Sequence, residues 1–206
     1  MNSCRNNVPG GANRSAGLKE QNGFTAVEVM IVILVVSVLV AIAAPGFWNL
    51  IGNNRLVSEV YSLRAALNNA RTEALARRAT VVVCPSTDGA ACANSDDWST
   101  GYIAFVDTDN NNAADPNNPD EEFIYIETDE QAVDIAFDNA AQRVRFGAQG
   151  VALGFDGVFT FCDSRGANSA RGLIVNPVGT LRSATDTDTP GDGIVDDAGG
   201  TNVACN

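Results

Sequence analysis

Cysteine and carboxylate side chains are the groups with the most potential for chemistry in this 206-residue chain, because the chain contains no histidine. Without an imidazole, a serine or cysteine nucleophile lacks its usual general base, and histidine-containing metal sites are excluded. The sequence also has no G-x-S-x-G, P-loop or dinucleotide-binding fingerprint. We therefore predict that the protein is not an enzyme.

The acidic residues are concentrated in two segments rich in turn-forming residues, 107–122 and 186–197. In the second segment, Asp186, Asp188 and Asp192 have a spacing that resembles a calcium loop, although the residue order and terminal glutamate of an EF-hand are missing. Such a composition is more typical of a solvated loop. We therefore expect no cofactor, and calcium at these three aspartates is the alternative.

Four of the five cysteines can form two disulfides, since Cys4 lies in a basic N-terminal segment apart from the others. Cys84 and Cys92 flank a Pro-Ser-Thr-Asp-Gly turn, which favours a local bridge between them and leaves Cys162 to pair with Cys205. Four cysteines allow three pairings, so this pairing is a preference. The sequence contains no C-x-x-C spacing that would indicate a redox site. Paired cysteines point to an oxidising space such as a Gram-negative periplasm.

An apolar run at 24–44, FTAVEVMIVILVVSVLVAIAA, is long enough to cross a membrane as a helix of about 31 Å. A polar leader precedes it, whereas a secretory signal is cut after its apolar region, so we expect the run to be retained. Residues 1–23 carry three basic residues against one acidic residue, and the rest of the chain has 10 basic and 24 acidic residues, a net charge of −14. The positive-inside rule then places the N-terminus in the cytoplasm and the acidic remainder outside the inner membrane.

Glu28 is the charged residue within this apolar run, and a carboxylate in lipid is costly unless it is paired. The sequence N-G-F-T-A-V-E at 22–28 resembles the prepilin motif of type IV pilins and type II secretion pseudopilins. The resemblance implies that a prepilin peptidase cuts after Gly23, that Phe24 becomes an N-methylated terminus, and that Glu28 pairs with the terminal amine of a neighbouring subunit. The alternative is a simple anchor helix whose Glu28 reaches the membrane interface.

Pro45 follows the apolar run at the position where helices of this family bend, and a proline removes one helical hydrogen bond. Its alternative role is to mark where the helix leaves the membrane. The leader is longer than many in the family, and a start at Leu18 would leave L-K-E-Q-N-G before the same bond. The chain thus divides into a cytoplasmic leader 1–23, a membrane helix 24–45, its periplasmic continuation 46–78 and a β-rich head 79–206.

Beyond the membrane segment, apolar residues recur at spacings of three and four, the pattern of one buried helix face. They are Leu56, Val60, Leu63, Leu67, Ala70 and Ala74. From residue 79 the pattern changes to short β-rich runs separated by turn residues. These runs are TVVVC, GYIAFVD, EEFIYIE, VDIAFD, RVRFG, VFTFC and GLIVN. We predict an α+β fold in which a long N-terminal helix packs on an antiparallel, β-rich head.

Several further segments narrow the resemblance to one group of pilins. They are R-x-E-A-L-x-R at 71–77, V-V-V-C-P-S-T-D-G at 81–89, W-S-T-G-Y-I-A-F-V-D at 98–107 and G-L-I-V-N-P-V-G-T-L-R at 172–182. They are similar to the FimT/FimU minor pilins and to pseudopilin H (GspH) of type II secretion. The resemblance covers nearly the whole chain after the leader and implies a pilin-like fold with a GspH-like β-sandwich head.

The same resemblance implies a minor subunit that inserts its helix into a type IV pilus or a type II secretion pseudopilus, near the tip, and aids assembly. Its expected partners are other pilins or pseudopilins, the prepilin peptidase and the inner membrane. A plain membrane-anchored periplasmic domain is an alternative that needs no filament.

DNA uptake is the remaining hypothesis, because some FimT-like minor pilins bind DNA through a G-R-x-R motif. The matching stretch here is G-T-L-R at 179–182, which keeps only Arg182, and Arg165 and Arg171 are the other candidate contacts. A net charge of −14 outside the leader opposes binding to phosphates. Assembly is therefore favoured over DNA binding.

Overall fold

The structure is a computed structural model that describes residues 23–128, 131 and 133–205. The leader before Gly23, with Cys4 and the alternative start at Leu18, lies outside the described residues. The chain divides into two compact units, Met1–Pro45 and Gly46–Asn206. This division falls where the sequence places the end of the membrane helix.

The first element, helix α1, extends over Ala26–Arg77. It ends because Arg78 turns into the left-handed region, with φ at 52°, and the Ala79 N–H donates a hydrogen bond of 3.2 Å to the Ala74 carbonyl. This contact closes the last turn in the manner of a Schellman motif. The helical residues include Pro45, and the bend expected there stays a prediction.

Within the described part of the chain, eight strands follow the helix and form two antiparallel sheets of four strands each. They are β1 Thr80–Pro85, β2 Tyr102–Asp107, β3 Phe123–Glu127, β4 Asp134–Phe137, β5 Val144–Phe146, β6 Gly157–Cys162, β7 Arg171–Val175 and β8 Leu181–Ser183. The first sheet has the order β3-β2-β1-β5, and the second has the order β4-β6-β7-β8. A short 3₁₀ helix, Ala167–Ser169, precedes β7.

One apolar core lies between α1 and the inner faces of both sheets. Trp98 stands within this core, fully buried, with its ring edge-on to Phe159 at 4.7 Å and to Phe137 at 5.8 Å between ring centroids. Phe137 and Phe159 stack on each other at 4.2 Å. These edge-to-face and stacked contacts stabilise the core beyond the burial of the rings, and they hold Trp98, four residues before β2, against the second sheet.

The outer face of each sheet is covered by irregular chain, and each covering includes a disulfide. On the first sheet, the outer apolar cluster contains Val82, Cys84, Ile103 and Phe105, packed against Cys92, Ala114 and Phe123. On the second sheet, it contains Val158, Cys162, Ala170, Ile174, Ala184 and Val203, packed against Ile194, Val195 and Cys205. Burial on both faces explains why β1 and β2 are apolar nearly throughout instead of alternating.

The predicted α+β architecture is confirmed, and so is the predicted helix face, since all six of its apolar residues are buried. The seven predicted β-rich runs each contain a strand, with ends that differ by one or two residues. The eighth strand, Leu181–Ser183, was not predicted, because L-R-S offers a single apolar residue. It pairs with β7 through the Asn176–Thr180 turn.

Candidate functional site

The Gly23–Phe24 bond lies in a non-helical segment just before α1 and is open to solvent. Phe24 is 84% exposed, and no other part of the described chain lies within 4 Å of a Cβ placed on Gly23. Helical hydrogen bonds do not protect this bond, because α1 begins only at Ala26. Cleavage after Gly23 and methylation of Phe24 stay predictions, and the geometry leaves the bond accessible to a peptidase.

Glu28 occupies the third position of α1, where it has a local partner that was not predicted from the sequence. Thr25 precedes the helix, and its Oγ1 accepts a hydrogen bond of 3.2 Å from the Glu28 backbone N–H. This is the first half of a capping box, for which T-x-x-E before an apolar run is the sequence signal. The Glu28 side chain itself is exposed. Glu28 therefore has two separable roles to test, one in the helix cap and one in pairing with another subunit.

Among the described residues, one helix is long and apolar enough to cross a membrane, over the window Ala26–Ala43. Its mean hydropathy is 3.0, and none of this window is buried within the protein. A continuous exposed apolar surface of this kind is unfavourable in water and favourable in the hydrocarbon core of a bilayer. The length, composition and exposure agree with a membrane anchor.

The four cysteines outside the leader form two disulfides, Cys84–Cys92 and Cys162–Cys205. These are the pairs preferred from the sequence. The first closes a short loop after β1, and the second ties the C-terminal segment to the end of β6. Both hold irregular chain on the outer face of a sheet, as expected of structural disulfides.

Arg165, one of the candidate DNA contacts, is occupied within the head. Its guanidinium forms a bridge to Asp163, with Nη2 to Oδ2 at 2.6 Å, and the same group donates to the Asn53 side chain at 3.0 Å and to the Asn49 carbonyl at 3.3 Å. Hydrogen bonding from Arg165 holds the pKa of Asp163 below its ordinary value. This arginine therefore joins α1 to the loop after β6.

Arg171 and Arg182 lie on opposite faces of the second sheet. Arg171 is paired with Phe161 of the inner core, whereas Arg182 is paired with Ile174, which belongs to the outer cluster. Residues paired across antiparallel strands share a face. Arg171 and Arg165 line a common surface cavity of about 440 Å³, and Arg182 is not part of its lining. The three arginines thus do not form one basic patch.

The acidic loop after β2 brings three carboxylates together. One oxygen from each of Asp107, Asp109 and Glu121 lies within 4.8 Å of the others. Burial, followed by the negative charge of neighbouring carboxylates, raises the pKa of Glu121, and burial also raises the pKa of Asp107. The acidic segment is evident in the sequence, but the approach of Glu121 to the two aspartates was not predicted from it. The D-x-D spacing at the end of β2 was a signal for its first two members.

The C-terminal acidic loop brings together a different set from the one expected. Asp186 and Asp188 lie with Asp196, again with one oxygen of each within 4.8 Å of the others. Asp192 instead accepts hydrogen bonds from the Ile194 N–H at 2.9 Å and from the Asn202 side chain at 2.6 Å. The cluster includes Asp196 in place of Asp192, because the segment folds back on itself.

Arg71 joins two loops at one end of the head. Its Nε donates to the Gly150 carbonyl at 2.9 Å, and its Nη2 donates to the Val178 carbonyl at 3.2 Å. Gly179, next to Val178, has φ at 78°, and a Cβ there would lie 1.9 Å from the Gly150 oxygen. The glycine of the 172–182 segment is thus required by a close backbone approach.

Comparison with known families decides the relationship of this chain. The family model described as type II transport protein GspH matches residues 59–179, which is more than half of the chain. The chain belongs to the GspH family. Among curated proteins, no sequence matches this chain at a significant level.

Solved structures with the same fold include two crystal forms of the type IV minor pilin FimU from Pseudomonas aeruginosa strain PAO1. This GspH-family chain superposes on them with TM-scores of 0.51 and 0.50 at 19% identity. The alignments cover 66% and 65% of this chain and 92% and 95% of the FimU chains. At this identity the likeness establishes a pilin-like fold. The family is therefore that of the type II transport protein GspH, and the fold is the one seen in the minor pilin FimU.

One of the two acidic clusters lies inside the residues that the family model matches, and the other lies outside them. Asp107, Asp109 and Glu121 lie within residues 59–179, whereas the C-terminal cluster lies beyond the end of the match. β8 also lies beyond it. The C-terminal segment that covers the second sheet is therefore the part of this GspH-family head that the family match does not include.

Proposed function

We propose that this GspH-family protein is a minor subunit that inserts its N-terminal helix into a type IV pilus or a type II secretion pseudopilus, near the tip, where it aids assembly. The observation that carries the proposal is the exposed apolar helix Ala26–Ala43 with Glu28 near its start. A helix with a lone carboxylate among lipid-facing residues needs a partner that supplies a positive charge.

The amine released by cleavage after Gly23 is such a partner. A terminal amine at Phe24 lies at the start of the same helix, so a neighbouring helix displaced along the filament axis can bring its own Glu28 to this amine. The two opposite charges then neutralise each other where each alone would be costly in lipid. Filament entry is thereby coupled to processing, because the uncut precursor lacks this amine.

The protein has one orientation in the inner membrane under this proposal. The N-terminus with its leader lies in the cytoplasm, the helix crosses the inner membrane once, and the head lies in the periplasm before assembly. The acidic head and the two disulfides suit this arrangement, because disulfides persist in an oxidising compartment.

Two substitutions separate the pairing role of Glu28 from its place in the helix cap. Glu28→Gln removes the charge but keeps a residue that suits a capping box, whereas Thr25→Ala removes the capping hydroxyl and keeps the charge. We expect Glu28→Gln to lower incorporation into filaments roughly tenfold or more, which corresponds to a loss of about 1.4 kcal/mol or more. We expect Thr25→Ala to have a much smaller effect.

The measurement is the amount of epitope-tagged protein in the sheared filament fraction, relative to the amount in the membrane fraction, in cells lacking the native gene. Equal membrane levels of the two variants exclude a failure of insertion or folding. Normal filament incorporation of Glu28→Gln would show that the charge is dispensable and would favour a plain membrane anchor.

DNA uptake is less well supported than assembly. Arg165 is held by Asp163, and Arg171 and Arg182 lie on opposite faces of one sheet. A focused basic surface is what an acidic protein would need in order to overcome its own field near phosphates.

A further inference from the structure

We propose that the loop between β2 and β3 binds a divalent cation, calcium by its chemistry, through Asp107, Asp109 and Glu121. The three carboxylates converge, with one oxygen of each within 4.8 Å of the others. Asp107 is 1% exposed and Glu121 is 7% exposed, so two of the three are almost completely removed from water. This proposal does not depend on the filament role.

A buried oxygen without a partner points to a ligand at this position. Glu121 accepts a hydrogen bond of 2.9 Å on Oε2 from the Asp115 N–H, but its Oε1 is buried and has no hydrogen-bond partner in the described part of the chain. The side-chain oxygen of Asn112 is buried in the same unpartnered way, and the Asn112 N–H donates to Asp107. Unpaired buried oxygens are costly, and a cation would satisfy them.

Two arginines lie near this loop, and the charge of Arg145 acts favourably on Asp107 without forming an ion pair with it. Arg145 donates to the side chain of Asn110 at 2.7 Å, and Arg143 donates to the Asn112 carbonyl and to Asn94. No ion pair in the described ranges joins a lysine or arginine to the three clustered carboxylates. A bound cation would supply the positive charge that no ion pair provides to these three carboxylates.

The chemistry of the available ligand atoms favours calcium over zinc and magnesium. All the available ligands are oxygens, from carboxylates, an amide side chain and the loop backbone, and calcium takes six to eight such ligands in adaptable geometry. Zinc prefers nitrogen and sulfur ligands. The chain has no histidine, and the cysteines of the described segments are paired in disulfides. An irregular loop suits calcium better than magnesium, which demands near-ideal octahedral geometry.

We infer that Asp186, Asp188 and Asp196 form a second calcium site, because Asp196 also has a buried oxygen without a partner among the residues described. Asp196 is 1% exposed. Its Oδ2 accepts a hydrogen bond of 2.6 Å from the Thr187 N–H, while its Oδ1 is buried and has no partner among the residues described. Residues 183–206 contain no lysine or arginine. Calcium binding by this loop was an alternative raised from the sequence, with Asp192 as the third ligand. The site proposed here has Asp196 in place of Asp192.

Each site would fix the irregular chain that covers the outer face of one sheet. The first loop packs Ala114 on the first sheet, and the C-terminal segment packs Ile194 and Val203 on the second. A disulfide closes another part of each covering. Calcium would therefore act as the second restraint on each covering and would stabilise the folded head by mass action.

Calcium binding to single-site variants tests both sites in one experiment. The full-length protein in detergent micelles is stripped with EGTA and dialysed against calcium alone, and bound calcium and the thermal midpoint Tm are measured. We expect about two ions per wild-type chain, with a rise in Tm of roughly 5 °C or more at saturation. Glu121→Gln and Asp196→Asn should each bind about one ion, and the double variant should bind none.

The matched control is Asp120→Asn, which removes an exposed carboxylate next to Glu121 and should bind calcium as the wild type does. Two bound ions in Glu121→Gln would overturn the first site, and two in Asp196→Asn would overturn the second. The absence of calcium binding to the wild type would overturn both.

The exposed ligands keep the test valid if a buried substitution prevents folding. Asp109→Asn and Asp188→Asn are then used, since both side chains are solvent-exposed in the cluster. Near-ultraviolet circular dichroism in EGTA should match that of the wild type. A folded Asp109→Asn or Asp188→Asn variant that still binds two ions with wild-type affinity would overturn the corresponding site.

Discussion

The two disulfides close loops of different length, and removing them should cost different amounts of stability. Cys84 and Cys92 are separated by 8 positions, and Cys162 and Cys205 by 43. The loop-closure entropy removed from the unfolded chain corresponds to about 2.5 kcal/mol for the short loop and about 4 kcal/mol for the long one. We therefore expect the free energy of unfolding to fall by about 1.5 kcal/mol more when the long-range bridge is lost.

Paired alanine variants isolate this difference. Cys84→Ala with Cys92→Ala and Cys162→Ala with Cys205→Ala remove the same atoms, and each pair has one nearly fully buried and one partly buried cysteine. The losses of buried sulfur therefore largely cancel between the variants. What remains is the difference in chain entropy.

Urea unfolding of the full chain in detergent micelles measures the effect. Trp98 is fully buried, so its fluorescence reports loss of the head core, whereas Trp48 is 69% exposed and changes little. Equal slopes with urea would show that both variants expose the same surface. If the short-loop variant is equally or more destabilised, loop closure is not the dominant contribution of these bridges.

Two further predictions concern single contacts in the head. Gly179→Ala should lower the free energy of unfolding by about 3 kcal/mol, because its Cβ would lie 1.9 Å from the Gly150 oxygen at a positive φ. Gly154→Ala has a similar φ of 80° with nothing within 4 Å and should cost only about 1 kcal/mol, so equal losses in urea unfolding would contradict the clash. Asp163→Asn should cost about 1–3 kcal/mol at pH 7, where Arg165 loses its charged partner. The pKa of Asp163 is lowered in the folded state, so its contribution is present above the unfolded pKa and is lost as pH falls through the folded one. The gap between wild type and variant in thermal midpoint should therefore close below about pH 4, and a constant gap down to pH 2 would exclude this ion pair as its cause.

The parts of the fold that the sequence predicted are those governed by local periodicity. The buried face of α1, with Leu56, Leu63 and Leu67 at its centre, follows from spacings of three and four along one helix. The β-rich runs follow from residue composition within a few positions. The Thr25 cap was not predicted, although T-x-x-E before an apolar run is an equally local signal for it.

The division of the strands between two sheets depends on contacts between distant positions. β5 pairs with β1 through Val81 and Phe146, although β2, β3 and β4 intervene in the sequence. Apolar composition indicates that such strands are buried but does not determine their neighbours. The position of Trp98 in the core, edge-on to Phe159 of the second sheet, likewise follows from the packing and not from its own segment.

The candidate cation sites illustrate the same limit in chemical terms. Counting positions along the C-terminal loop groups Asp192 with Asp186 and Asp188, because spacing is the information that a linear sequence offers. In the folded segment, the Asp196 N–H donates to the Thr185 carbonyl at 3.2 Å, and the Val203 N–H donates to Val195 at 3.0 Å. These two backbone contacts fold the segment back, and they bury Asp196 beside the first two aspartates.

Glu121 reaches Asp107 in a comparable way, since the whole loop between β2 and β3 separates them along the chain. In both clusters a buried member comes from the far end of its loop, and this member, Glu121 or Asp196, carries the unpartnered oxygen. A carboxylate that is delivered by loop closure and then left without a hydrogen bond is costly unless a ligand joins it. The test of Glu121→Gln and Asp196→Asn is therefore aimed at the two residues on which the cation sites depend most.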